Sequence, residues 1–404
     1  MISRRGLLTG AGFGAAGLAV GVGSTALVTS SEPDDTVPFD GEHQAGITTR
    51  QQDALHFAAF DVVTRNRAEL EDLLKRWTAM ARHMTSGQPS EQPTAEHSVP
   101  EDTGEASDLG AANLTVTVGF GPSLFDDRFH LSAQRPTELQ DLPHFPGDQL
   151  IDELCGGDLC IQACSDNPQV AIHAVRNLAR VGAGVVTVKW AQVGFGHASA
   201  TTRGQQTPRN LFGFKDGTNN LRSEDNQLVD DHVWVSGTGT WLDGGAYLIP
   251  RRIRMLIENW DRQVLTEQEA TFGRQKASGA PLGREDEFDP LPLDEYVGTS
   301  GPLIPASAHA RLASPEENDG ARMLRRAYNF TTGTDGLGHL DAGLFFIAVV
   351  GSPETSFIPI QNKLAHKDKM NEYVRYESSS IFALPPGVRG EDDWWGRTLF
   401  EGAM

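Results

Sequence analysis

One order of elements occurs twice along this chain, and the repeat limits the fold more than any other feature. In the first half, the residue pattern predicts strands at 54–63, 113–119, 158–164 and 184–193, with helices at 67–84 and 168–181. Alternating runs such as NLTVTVG favour strands, whereas Leu70, Leu74 and Trp77 recur at helical spacing. The resulting order, β-α-β-β-α-β, is that of the ferredoxin-like unit.

The second half repeats this order. The pattern predicts strands at 245–258, 326–331, 343–350 and 379–384, with helices at 266–278 and near 357–365. We therefore expect an α+β protein of two ferredoxin-like domains, 51–205 and 206–404, after a linker at 31–50. Their antiparallel sheets should face each other with the helices outside. A cofactor in such a protein is expected where the domains meet.

The N-terminal segment, residues 1–30, has the pattern of an export signal. It begins Met-Ile-Ser-Arg-Arg-Gly-Leu-Leu, continues with a weakly apolar Gly- and Ala-rich run, and contains no acidic residue before Glu32. Paired Arg4 and Arg5 are typical of twin-arginine signal peptides. A single membrane anchor is the alternative, although so many glycines make a poor spanning helix, and no later stretch is apolar enough to span. We therefore expect export by the twin-arginine translocase to the periplasm, cell envelope or exterior. That pathway carries folded proteins, commonly with a cofactor inserted.

Charge and cysteine content exclude other classes. The chain has 34 Lys and Arg against 54 Asp and Glu, a formal net charge of −20 over 404 residues. A field of that sign repels phosphate backbones, so nucleic acid is not an expected partner. Three cysteines cannot form a disulfide framework. Cys160 and Cys164 are expected in the core. A disulfide bond between Cys155 and Cys160 is the alternative for Cys160.

Three local features are candidates for chemistry, and each has an ordinary alternative. Asp216 lies between Gly213 and Gly217 in Gly-Phe-Lys-Asp-Gly-Thr-Asn-Asn, where glycine lets a bound group approach the backbone closely, but Asp-Gly is also a common turn. His309 follows a Pro- and Gly-rich stretch and is otherwise a solvated loop histidine. Arg325-Arg326 opens an apolar strand, so one of the two should face inward unless both flank an edge.

Together these segments resemble the signature segments of the dye-decolourising haem peroxidases. Further similar segments are Gly-Phe-Gly-Pro-Ser-Leu-Phe-Asp at 119–126, 344–350, 357–364 and Asn-Glu-Tyr-Val-Arg at 371–375. They occur in the family's order from about residue 53 to 387, nearly the whole mature chain. The twin-arginine leader makes the exported branch, which includes a periplasmic peroxidase of bacterial iron-uptake operons, the most similar.

The resemblance implies one haem b per chain, held between the sheet and the helices and loops of the second domain. It implies that His309 is the iron ligand and that Asp216 and Arg326 activate peroxide on the opposite face. It also implies that haem is bordered by Gly217, Thr218, Asn219, Arg326, Ser314, Pro315 and Glu316. The family usually gives the iron-binding histidine an acidic partner, but here Ser352 stands about where relatives often carry Asp. The identity of that partner therefore stays open.

The resemblance further implies a peroxidase that uses hydrogen peroxide to oxidise dyes, phenols or ferrous iron. An alternative is a haem-handling protein that supplies iron by releasing it from haem, and a third is a non-catalytic haem-binding module. A mere haem binder needs only His309, so the presence of both Asp216 and Arg326 favours the enzyme. The physiological reductant, surface radical sites and a homo-oligomeric state stay open.

Overall fold

A computed structural model describes residues 35–88, 99–299 and 301–402. The predicted signal peptide at 1–30 lies outside these residues. Within the described part of the chain, no helix has the length and apolar character needed to cross a membrane.

Ten strands and eight α-helices make up the described fold. The strands are β1 (Ala54–Val62), β2 (Thr115–Phe120), β3 (Leu159–Ser165), β4 (Val186–His197), β5 (Ala246–Met255), β6 (Leu324–Arg325), β7 (Tyr328–Thr334), β8 (Leu340–Val350), β9 (Val374–Tyr376) and β10 (Phe382–Leu384). The helices are α1 (Arg67–Thr85), α2 (Pro168–Val181), α3 (Asn226–His232), α4 (Ile257–Trp260), α5 (Leu265–Phe272), α6 (His309–Leu312), α7 (Ile358–Lys367) and α8 (Arg397–Glu401).

Eight of the ten strands form two four-stranded antiparallel sheets of the same topology, while β6 pairs with β8 and β9 pairs with β5. In the first sheet the strand order is β4-β1-β3-β2, and in the second it is β7-β8-β5-β10. If the four strands of each sheet are numbered 1 to 4 in chain order, both sheets have the strand order 4-1-3-2 when read from the appropriate edge. This is the strand order of the ferredoxin-like unit. The predicted α+β class with two ferredoxin-like halves is therefore confirmed. The sheets are not separate, because β4 pairs with β7 and β2 pairs with β10.

The side-chain alternation of the strands divides the interior into layers. On β1, Leu55, Phe57 and Ala59 belong to an apolar cluster that also contains Leu248 and Phe345 of the second sheet. The next residues along β1, such as Ala58 and Phe60, belong to a second cluster with the apolar face of α1 and α2. The two sheets thus face each other across a shared core, and α1 and α2 cover the outside of the first sheet.

The outer face of the second sheet leaves room for a site. Phe345 and Ile347 of β8 point into the core between the sheets, whereas Leu344 and Phe346 line a cavity on the other side. Helices α6 and α7 and the loop around Asp216 form the remaining walls of that cavity.

Residues 35–50 are packed against the body of the protein, so the expectation of a linker there is wrong. Gln44 is buried, and its amide donates to the carbonyl oxygens of Val118 and Pro385 at 3.0 and 2.9 Å. Ile47 is also buried in the core between the sheets. Polar side chains in this segment form hydrogen bonds with backbone groups of distant strands. Composition alone does not reveal these bonds, and it therefore suggested a linker.

Candidate active site

The cavity is large and mainly apolar. Its empty volume is about 1430 Å³, a figure that includes open solvent at its mouth. The apolar lining comes mostly from β5, β8, β9, α6 and α7: Ile253, Met255, Phe272, Leu291, Ala310, Ala313, Met323, Leu344, Phe346, Phe357, Ile360, Leu364, Met370 and Val374. A broad apolar slot of this kind suits a flat hydrophobic ligand.

His309, the first residue of α6, lies in the wall of this cavity with a third of its side chain exposed. Its Nδ1 donates to Oδ2 of Asp368 at 2.6 Å. Asp368 follows α7 directly, and its Oδ1 accepts from the backbone N–H of Met370 at 2.8 Å, so the carboxylate is held in place. This arrangement leaves Nε2 of His309 as the ring nitrogen available to a ligand.

Burial lowers the pKa of His309, but the charge of Asp368 and its hydrogen bond outweigh this effect and raise the pKa above its ordinary value. Asp368 therefore answers the question left open by the sequence. Ser352 is not the partner, because its hydroxyl donates to Glu138 at 2.7 Å. Asp368 caps the short helical turn at 369–372, and this is the only local feature that marks the residue in the sequence.

A second polar group lies in the same cavity around Asp216. Nη1 of Arg325 donates to Oδ1 of Asp216 at 2.7 Å, and Nδ2 of Asn210 donates to Oδ2 at 3.2 Å. Asn220, at the end of the same motif, holds the backbone of Arg325 on both sides: its Oδ1 accepts from the Arg325 N–H at 2.8 Å and its Nδ2 donates to the Arg325 carbonyl at 2.9 Å. The motif thus positions both members of the ion pair.

The prediction that Arg326 faces the cavity is wrong. Arg326 is fully buried, and its guanidinium donates to the carbonyls of Thr49 at 2.6 Å and Ile47 at 3.3 Å and to Oε1 of Gln52 at 2.8 Å. Adjacent residues of an extended chain point in opposite directions. One arginine does turn inward as expected, but it enters the core between the sheets, and its neighbour Arg325 reaches the cavity.

The backbone after Asp216 forms a close wall. Gly217, Thr218 and Asn219, which the resemblance assigns to the haem border, all line the cavity. Gly217 has φ +97, and a Cβ there would lie 3.1 Å from Cα of Ser199 and 3.2 Å from N of Ala200. Only glycine fits this turn without strain.

The turn after His309 contributes two of its three predicted residues. Ser314 and Pro315 line the cavity, whereas Glu316 is exposed and does not. The prediction for Glu316 is wrong because the short helical turn at 315–317 directs its side chain to solvent. Ser314 Oγ is buried and has no hydrogen-bond partner in the part of the chain that the structure describes. An unsatisfied buried hydroxyl beside the cavity indicates room for a polar ligand group.

Cations complete the site. Arg274 and Arg322 line the cavity, and among the described residues neither forms a salt bridge; Arg322 donates to Oδ1 of Asn219 at 3.4 Å. Arg274 donates only to carbonyl oxygens, of Gly279 and Glu287. Lys215, also in the lining, is ion-paired with Glu287. An apolar slot with one imidazole, an unsatisfied hydroxyl and two guanidinium groups that have no carboxylate partner among the described residues fits haem, which offers a flat macrocycle, an iron and two carboxylates.

A second cluster, Asp102, Glu105 and His173, brings three potential metal ligands within 4.8 Å of one another. Nδ2 of Asn177 lies 3.2 Å from both ring nitrogens of His173, and Arg176 lies 3.3 Å from Glu105. These neighbours partner the groups of the cluster. His173 lies on α2, Asp102 and Glu105 lie in the loop at 99–108, and none of the three lines the cavity. We interpret the cluster as the structural attachment of the loop at 99–108.

Comparison with known proteins agrees with a haem site. The model of the N-terminal half of Dyp-type peroxidases matches residues 44–196, and the model of the C-terminal half matches residues 207–389. Fold and cavity thus define a haem-dependent peroxidase. The matches cover most of the chain, and the protein belongs to the Dyp-type peroxidase family.

Individual relatives support the same assignment. The deferrochelatase of Escherichia coli is 38% identical over 371 residues, covering 90% of this chain and 86% of the relative. The deferrochelatase of Yersinia pseudotuberculosis is 37% identical over 418 residues, covering 99% and 95%. Among solved structures, ferric DtpA from Streptomyces lividans has a TM-score of 0.84 at 37% identity, and the alignment covers 91% of this chain and 98% of that protein.

Proposed function

We propose that one haem b binds in this cavity, with His309 as the iron ligand, and that Asp216 and Arg325 activate hydrogen peroxide on the opposite side. When bound, haem supplies the iron and the reducing equivalents needed to break the O–O bond. The protein supplies the remainder: the imidazole, an acid–base group, a fixed positive charge and a wall that limits access of water. We therefore assign to Arg325 the peroxide-activating role that the resemblance implied for Arg326.

Asp216 is placed to move a proton. With haem bound, the Asp216 carboxylate could accept a proton from one oxygen of hydrogen peroxide and return it to the other oxygen, which would leave as water. Its side chain is only 13% exposed, so few water molecules compete for the proton. One residue performs both transfers.

Arg325 is placed to stabilise negative charge. Peroxide becomes more anionic when it loses its proton, and the departing oxygen is negative until it receives one. A guanidinium keeps its charge through both events, and it is held by Asp216 at one end and by Asn220 along its backbone. Such a preorganised cation does not need to reorient during the reaction.

On the other side, Asp368 makes His309 a better electron donor to iron. A carboxylate that accepts the Nδ1 proton gives the imidazole partial anionic character, and an electron-rich ligand stabilises oxidised iron. The observation that carries the proposal is that one cavity is lined by His309, which is hydrogen-bonded to the buried Asp368, and by both members of the Asp216–Arg325 pair.

The experiment is stopped-flow spectroscopy of the haem-loaded protein after addition of one equivalent of hydrogen peroxide. We expect a rapid shift of the Soret band in the parent. Arg325→Leu should slow this shift about 100- to 1000-fold while the resting spectrum stays the same, and His309→Ala should remove or strongly alter the Soret band. An Arg325→Leu protein that reacts at the parental rate contradicts the distal assignment.

Release of iron from haem is a second candidate function, favoured by the relatives named deferrochelatase. Anaerobic incubation with haem and a ferrous chelator distinguishes the two. Appearance of metal-free porphyrin, recognised by its fluorescence, supports iron release, whereas unchanged haem supports the peroxidase as the main activity. Dyes, phenols and ferrous iron remain the proposed reductants. Export by the twin-arginine pathway to the periplasm or beyond is proposed from the leader sequence.

A further inference from the structure

Asn210 occupies a fixed place beside Asp216. The two residues are at opposite ends of a short hairpin, in which the N–H of Asn210 donates to the carbonyl of Phe214 at 3.1 Å and the N–H of Asp216 donates to that of Pro208 at 2.9 Å. Asn210 is buried, with 7% of its surface exposed, and it also lines the cavity.

The orientation of the Asn210 amide is determined by its partners. Its Oδ1 accepts from the backbone N–H of Phe212 at 3.1 Å, and a nitrogen in that place would be a donor facing a donor. Nδ2 must therefore face Asp216, where it donates to Oδ2. The amide cannot flip without losing both hydrogen bonds.

The two oxygens of Asp216 consequently differ. Oδ1 accepts a short, charge-assisted bond from Arg325 at 2.7 Å, whereas Oδ2 accepts a longer, neutral bond from Asn210 at 3.2 Å. A proton goes more easily to the oxygen that is held by the weaker and uncharged donor. The terminal torsion of Asp is broad, so the bond from Arg325 alone does not fix the carboxylate plane.

We propose that Asn210 is a positioning residue that fixes the carboxylate plane of Asp216 and presents Oδ2 as the oxygen that takes the peroxide proton. This proposal rests on the proposed function of Asp216 and goes one step further, because it assigns the proton to one oxygen atom. The proton leaves peroxide, is held at Oδ2, and returns to the departing oxygen, so no external proton or electron is needed for the transfer.

The other charged side chains around Asp216 are the same in the parent and in the variants at position 210. Arg325 of β6 is hydrogen-bonded to it, His309 of α6 interacts with it through its charge, and Arg274, Arg322 and the Lys215–Glu287 pair also lie around the cavity. Variants at position 210 alter none of these groups. A change in pH dependence can therefore be attributed to the partner of Oδ2.

The test measures the rate of the Soret shift with peroxide between pH 4 and pH 8, per bound haem. Asn210→Ala should slow the shift about 10- to 100-fold, since a misplaced catalytic group loses most of its advantage. Asn210→Asp has the same size but places a second carboxylate beside Oδ2. It should move the acid limb of the profile to higher pH by about one unit or more.

Asn329→Ala is the matched control. Asn329 is buried and its Nδ2 donates to the carbonyl of Arg209 at 3.3 Å, so it supports the same hairpin without contact to Asp216. We expect this variant to lower the melting temperature but to keep the pH profile. If it changes the profile as much as Asn210→Asp does, the role of Asn210 is only structural and the proposal is wrong.

Two failures remain distinguishable. If Asp216→Asn reacts with peroxide at the parental rate, the proposed function of Asp216 itself fails. If Asp216→Asn is slow but Asn210→Asp has the parental rate and profile, only the positioning role fails. Should Asn210→Ala not fold, the isosteric Asn210→Asp variant decides alone.

Discussion

Oδ2 of Asp368 lies 2.6 Å from Nδ1 of His309, although 59 positions of the chain separate the two residues. One residue begins the short helix α6 and the other follows the last residue of α7, so packing of these two helices creates the pair. This contact determines which ring nitrogen of His309 faces the cavity and how much electron density that nitrogen carries.

Asp368→Asn should make the iron easier to reduce. The amide that replaces the Asp368 carboxylate carries no negative charge, so His309 donates less electron density to the iron. Oxidised iron is then less stabilised, and the midpoint potential of the haem rises. Loss of such a partner typically costs about 10- to 100-fold in activity. Spectroelectrochemical titration of the haem-loaded variant, together with its peroxide rate, measures both effects. Ser352→Ala is the control, and an Asp368→Asn protein with the parental potential would exclude the pairing.

The neighbouring arginines should separate function from stability. Arg326→Met removes hydrogen bonds to Ile47, Thr49 and Gln52 and leaves buried acceptors unsatisfied, so it should lower the free energy of unfolding by about 1–3 kcal/mol. Its peroxide rate per bound haem should stay parental. Arg325→Met should do the reverse, with a slow peroxide reaction and a smaller loss of stability. Denaturant unfolding and stopped-flow spectroscopy on both variants give the comparison.

Local signals predicted the elements well where a helix had clear ends. The expected helix at 168–181 has the observed bounds of α2, because Asn167 accepts from the Gln169 N–H at 2.9 Å and Pro168 occupies the first helical position. The helix expected at 266–278 ends much earlier, at Phe272 in α5. Gly273 adopts a left-handed conformation there, and the sequence alone did not identify it as the stop.

The site was only partly predictable for a different reason. Asp216 and His309 stand in short motifs, and the resemblance to the family singled them out. Arg325 was missed because strand alternation separates two neighbouring side chains but does not say which side holds the cavity in a fold with two buried layers. Asp368 was missed because only tertiary packing brings it to His309.

Gly217→Ala should disturb the wall beside Asp216. The new Cβ would lie 3.1 Å from Cα of Ser199, and the backbone at φ +97 disfavours any side chain, so we expect a loss of about 1–3 kcal/mol. Because the turn carries Asp216, the peroxide rate should fall together with the melting temperature. Gly204→Ala is the control, since no atom lies within 4 Å of its Cβ. Equal melting temperatures for both variants would contradict the close approach.

His56 should make the folded protein sensitive to acid. It lies on β1, its Nδ1 is buried without a hydrogen-bond partner among the described residues, and burial lowers its pKa from 6.5 to about 4.

The unfolded chain therefore binds this proton below about pH 6.5 and the folded protein only below about pH 4, so stability falls as the pH drops through that window and levels off beneath it. The total loss from this group is about 3 kcal/mol. His56→Leu should remove that part of the slope, whereas His144→Asn, at an exposed position, should retain it. Denaturant unfolding of the haem-loaded proteins at pH 7.5, 5.5 and 4.5 measures the difference. Parallel slopes for the parent and His56→Leu would show that His56 is hydrated in the folded protein, because only a dehydrated imidazole resists protonation over this range.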